Sequence, residues 1–166
     1  MSGDQKDQHN QSPGGRPQRQ PIFLLPAPVM VFCGLLLAIQ LASDVVLNSS
    51  GREALLTWFA FVPYRLIDSV SIEGGFWPLF WTPFTHALLH AGWEHVLLNT
   101  VWLAVFATPV AQRYGSLRMF LLFFAGAAIG AVAFAATTLP QVQVLVGASG
   151  GIAALTGAAV RFVFQP

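Results

Sequence analysis

The chain has 166 residues, 55% of them apolar and 9% charged, with a formal net charge of +1. Soluble domains carry roughly a quarter charged residues, so this balance excludes an ordinary soluble core, and near-neutrality leaves no basic footprint for nucleic acid. The length suits one domain; the single cysteine, Cys33 in an apolar run, excludes an internal disulfide and a Cys-based metal motif.

Residues 1–20 are Gln, Gly, Pro, Asp and Arg with almost nothing apolar, which predicts a disordered tail. The apolar run that follows starts too late, and lacks the cleavage site, for a signal peptide. Residues 21–166 are expected to form one transmembrane domain. Its first span runs from Pro21 to about Leu47, with helix from Val29 long enough to cross a bilayer. Asp44, near the far end, is expected to reach the interface. From Asn48 to Pro83 polar turns alternate with aromatics such as Trp58, Phe61, Trp77 and Trp81. Amphipathic rings settle at the membrane surface, so this stretch predicts a long interfacial loop with one or two short helices. Spans two, three and four are expected over Val96–Val110, Met119–Ala136 and Val146–Phe164. The third is rich in Gly and Ala, which lets helices approach closely in lipid. The fold class is thus an all-α membrane bundle with about four spans.

Basic residues gather on the cytoplasmic side of membrane proteins. With the N-terminus in the cytoplasm, Lys6, Arg16, Arg19, Arg113, Arg118 and Arg161 lie inside, and Arg52 and Arg65 lie outside with Glu53, Asp68 and Glu73. This threading sets the start of span two, with His95, and the start of span four, with Ser149, on the same outer side.

Two polar stretches meet there. His95 and Asn99 are four residues apart and share a helix face. Polar side chains in a span are costly and tend to face the bundle interior or a water-filled cavity. Aimed at a carbonyl under attack by Ser149, they and the Ser149 backbone N–H would make an oxyanion hole; alternatively they hydrogen-bond neighbouring helices. In Gly147-Ala148-Ser149-Gly150-Gly151, the serine is either part of a small-residue packing face or a nucleophile whose neighbours must be small. His86 and His90, one turn apart, read as interfacial histidines rather than a zinc pair, because no third ligand is evident.

The pattern His90-x-x-x-x-His95-x-x-x-Asn99 opening one span, with Gly147-x-Ser149-Gly150 opening a later one, resembles the rhomboid intramembrane serine proteases. Phe84-Thr-His86-Ala-Leu-Leu-His90 is similar to the family's lead-in, and the aromatic stretch from Asn48 to Pro83 to its membrane-embedded first loop. Gln112-Arg113-Tyr114-Gly115-Ser116 resembles its turn between the second and third helices, without the acidic residue often found there. The resemblance covers Pro21 to Pro166. It implies a six-helix core and a Ser–His dyad. Ser149 would be the nucleophile and a histidine of the sixth helix the general base. His95 and Asn99 would stabilise the oxyanion, with Gly147 and Gly150 as motif backbone. It implies cleavage of membrane-anchored protein substrates in or near their transmembrane segments. The other expected partner is the lipid bilayer, and the expected location is the bacterial inner membrane; no cofactor, metal or nucleic acid is expected.

Two departures stand out. No histidine follows Ser149, and Ala153 stands one turn after it where the family often has an aromatic. The chain is therefore expected to lack the family's C-terminal third and to be inactive as given, since a serine hydroxyl needs an adjacent base. The alternatives are a non-catalytic rhomboid-like protein that binds transmembrane segments and, further off, a metal- or haem-binding protein using His86, His90 and His95.

Overall fold

Residues Leu25 to Phe164 are described by the computed structural model, with side chains to Phe162. The expected tail, the first residues of the expected first span and the last two residues lie outside them. Six helices follow in order among the described residues: α1 (Ala27–Val45), α2 (Ser49–Phe59), α3 (Thr82–Thr85), α4 (Trp93–Tyr114), α5 (Ser116–Thr138) and α6 (Ser149–Phe164). Short 3₁₀ turns cover Pro63–Leu66, Trp77–Phe80 and His86–Leu88.

Among the described residues three helices are long and apolar enough to cross a membrane: α1, α4 and α5, with 19, 22 and 23 residues. At about 1.5 Å per residue they reach roughly 29 to 35 Å, against a hydrocarbon core of about 30 Å. The fourth expected span, α6, has 16 described residues and starts at Ser149 rather than Val146, because Gly147 has a φ of +120° and Ala148 lies in a turn. The second span starts earlier than its apolar pattern, at Trp93, and so carries His95 in its first turn.

The bundle is apolar outside as well as inside. Val31, Val45, Leu121, Ile129 and Val132 are all more than half exposed, as suits helices whose solvent is lipid and whose backbone groups are satisfied internally. Inside, α1 packs on α4, and α4 and α5 both pack on α6. Phe32 of α1 meets Phe120 and Phe123 of α5 edge-on, at centroid distances of 5.2 and 4.9 Å. Leu36, Val96, Leu103, Ile152 and Leu155 fill the space between. Cys33 is buried, its thiol 3.7 Å from the Thr100 carbonyl.

The α5–α6 seam is closer still. A Cβ added at Gly151 would lie 2.5 Å from the Phe123 ring, and one at Gly126 2.5 Å from the Ala154 Cβ. Gly150 also faces α5: a Cβ there would sit 3.2 Å from the Gly126 carbonyl. Side chains are absent where the backbones approach, as small-residue association in lipid requires.

The segment from Asn48 to Leu89 is held mainly by polar bonds. Asn48 caps α2, its side chain accepting the Gly51 N–H at 2.9 Å. The Trp81 indole donates to the Trp58 carbonyl at 2.6 Å, and the Thr85 hydroxyl to the Phe59 carbonyl at 2.8 Å. Arg65, expected as an outer-side charge, is only 2% exposed. Its guanidinium donates to the carbonyls of Thr57, Glu73 and Gly75 at 2.8, 2.8 and 2.6 Å. A fork of donors suits this work, because three carbonyls, one from the end of α2 and two from the turn at 73–75, converge on one planar cation. Asp44, at the end of α1, pairs with Arg52 of α2 at 3.3 Å and accepts from the buried Gln40 at 3.1 Å.

Candidate active site

The site forms where three short stretches meet: the lead-in 86–92, the first turns of α4, and residues 145–149 leading into α6. Phe61 and Leu145 exchange backbone hydrogen bonds at 3.1 and 2.8 Å, which ties the interfacial segment to this approach. Two residues on, the Gly147 N–H donates to the His86 carbonyl at 2.9 Å. Next, the Ala148 N–H donates to His90 Nε2 at 3.4 Å. Successive backbone donors are thus consumed by the lead-in before α6 begins. Among the described residues, neither the hydroxyl nor the backbone N–H of Ser149 makes a hydrogen bond, and the residue is exposed.

Gly147 has a φ of +120°, a conformation that favours glycine. Space demands glycine too: a Cβ there would lie 2.8 Å from both Cε1 and Nε2 of His95 and 3.9 Å from the Asn99 amide nitrogen. The His95 ring therefore rests on the backbone two residues before the serine, with Asn99 one turn further along α4. Asn99 is 7% exposed. Asn99 and Ser149 line one open groove of about 490 Å³ between α4 and α6, with Trp102, Phe106, Ile152, Ala153 and Thr156.

Of the residues singled out in the sequence, His95, Asn99, Gly147 and Ser149 come together. Gly150 does not turn into the groove; it lets α6 close on α5. His86 is buried, with Nε2 3.3 Å from the Ala127 carbonyl and its ring tilted against Phe61. His90 and His95 meet edge to face at 5.0 Å. Burial first, and then the neighbouring His95, push His90 down to about 4. Among the described residues no three His, Cys, Asp or Glu side chains are grouped to hold a metal ion.

The arrangement sets an exposed serine hydroxyl and a carboxamide on one groove, with an imidazole against the backbone two residues before the serine, at one end of a membrane-crossing bundle. Such donors can stabilise an oxyanion without reorganising during the reaction. The contact between His90 and Ala148 escaped the sequence: both residues stand in recognisable stretches, but their register depends on how the lead-in folds under residues 145–148.

The fold is that of a helical integral membrane protein built round this meeting of α4 and α6. Residues 78–165 match the family model of the Rhomboid domain. The chain belongs to the rhomboid family. It is 32% identical over 135 residues to the rhomboid YdcA of Bacillus subtilis (strain 168), covering 81% of this chain and 62% of that protein. It is 38% identical over 80 residues to human Rhomboid-related protein 3, covering 47% and 19% of the two chains. To Rhomboid protease GlpG of Pectobacterium atrosepticum it is 28% identical over 93 residues, covering 56% and 30%. The chain thus spans less than two thirds of the length of each of these relatives.

Proposed function

We propose that the whole protein is an intramembrane serine endopeptidase acting on membrane-anchored protein substrates. Ser149 Oγ adds to the scissile carbonyl, and the developing oxyanion is held by the Ser149 N–H, His95 and Asn99. The amine leaves with a proton, and water then releases the acyl group from Ser149. All four histidines of the sequence precede Ser149. The general base is assigned to a histidine of the whole protein outside these residues, as the greater length of the relatives allows. The N-terminus is taken to lie in the cytoplasm of a bacterial cell, with Ser149 near the outer surface of its inner membrane.

The observation that supports this reading best is the seating of His95 on Gly147, with Asn99 beside it, two residues before an exposed serine at the head of a groove. A packing serine needs neither neighbour. In the whole protein, Ser149→Ala is expected to lower cleavage of a membrane-anchored substrate by about a thousandfold or more, with membrane insertion unchanged. Full activity in that variant overturns the reading.

A rhomboid-like protein that binds transmembrane segments without cutting them is the second reading, favoured by the apolar lining of the groove at Trp102, Phe106 and Ile152. A fluorophosphonate probe separates the two. Labelling that disappears in Ser149→Ala supports the enzyme, and its absence from the whole wild-type protein supports the binder.

A further inference from the structure

Five residues before His95, the lead-in turns His90 toward the backbone that carries Ser149. Its Nε2 lies 3.4 Å from the Ala148 nitrogen, and its ring meets His95 at 5.0 Å with planes 78° apart. One imidazole therefore touches both halves of the candidate oxyanion hole: the backbone immediately before the Ser149 N–H, and the His95 ring. We propose that His90 is a positioning residue, whose Nε2 holds the Ala148 N–H and whose ring supports His95, so that the Ser149 N–H and His95 keep one register. This deepens the protease reading and rests on it.

The chemistry requires a neutral ring. A protonated imidazole has two donors and no acceptor, so it cannot take the Ala148 N–H. With Nε2 accepting, the proton belongs on Nδ1, which is buried and has no hydrogen-bond partner among the described residues. The surroundings favour that state. The ring borders a cavity of about 400 Å³ shared with Gln40, Asp44 and Arg52. Asp44 and Arg52 are paired with each other, and on the α4 side the titratable neighbour is His95. Burial and that neighbour together disfavour a charge on His90.

Asparagine and glutamine test the assignment, because a carboxamide can accept the same N–H. Glutamine reaches about as far as Nε2, whereas asparagine reaches only as far as Nδ1. Both are polar and smaller than the ring, so both leave the cavity similarly filled. In the whole protein with a membrane-anchored substrate, His90→Asn is expected to lower kcat about tenfold or more with KM little changed. His90→Gln should recover most of that loss, since a donor that is misaimed costs less than one removed, about a hundredfold or more. Fluorophosphonate labelling of Ser149 should slow in the same order. The two variants behaving alike, whether both active or both impaired, overturns the role given to Nε2. Wild-type protein that labels and cleaves while His90→Asn matches it overturns this inference alone. Wild-type protein that neither labels nor cleaves overturns the protease reading and this inference with it.

Discussion

The two faces of α6 are built on opposite terms. Toward α5, backbones touch: Gly151 sits against Phe123 with no room for a methyl group, and a Cβ at Gly150 would press to 3.2 Å from the Gly126 carbonyl. Toward α4, the same helix leaves an open groove that holds Ser149 and Asn99. A nucleophile must be fixed in position yet reachable, and a single helix meets both needs when one side is sealed and the other left free. Rigidity at the seam is what lets the groove stay open without losing geometry.

Substitutions on each face should break that contrast in different ways. The largest effect is expected at the seam. Gly151→Val drives a branched side chain into the Phe123 ring, and overpacking costs about 3 kcal/mol; thermal unfolding in detergent should show the loss, with cleavage lost alongside it. At the turn joining the faces, Gly147→Ala meets the His95 ring and imposes a left-handed φ on a residue with a Cβ. It should cost about 1 to 3 kcal/mol locally and lower kcat by about a hundredfold, while far-ultraviolet circular dichroism stays helical. On the open face, Ala153→Phe partly fills the groove; KM is expected to rise about tenfold, about 1.4 kcal/mol of binding, with the unfolding temperature unmoved. Away from both faces, Asp44→Asn weakens a partly exposed ion pair with Arg52 and should shift stability by about 0.5 kcal/mol. An Ala153→Phe variant that unfolds like Gly151→Val would show that the groove is part of the core and end the contrast.

Much of the site was legible because its signals are local. His95 and Asn99 lie four apart, and four apart on a helix means one face. Their meeting with Ser149 followed from threading apolar spans across a bilayer, which fixes depth without any knowledge of packing. What could not be read depends on helix rotation and on turns. Gly150 looks like a site residue beside Ser149, yet a rotation of about 100° per residue carries it to the α5 side. The start of α4 at Trp93 was hidden because Trp93, Glu94 and His95 break the apolar pattern that marked the span. Threading places Arg65 only as an outer-side charge, and three carbonyl acceptors, Thr57 in α2 and Glu73 and Gly75 in a later turn, hold it buried. No periodicity announces such a convergence.

Arg65 has one more consequence. Its guanidinium reaches from Thr57 across to Glu73 and Gly75, spanning a stretch whose Val70 is 95% exposed. Trp81 and Thr85 bond back to Trp58 and Phe59 from the far side of the same stretch. The covalent link at Val70 is therefore bridged by non-covalent ties on both sides. The protein should tolerate being made as two separately translated pieces that divide there, one ending after α2 and its turn and the other carrying the serine, and the pieces should find each other in the membrane through those ties together with the packing of α1 on α4 and of Phe32 on Phe120 and Phe123.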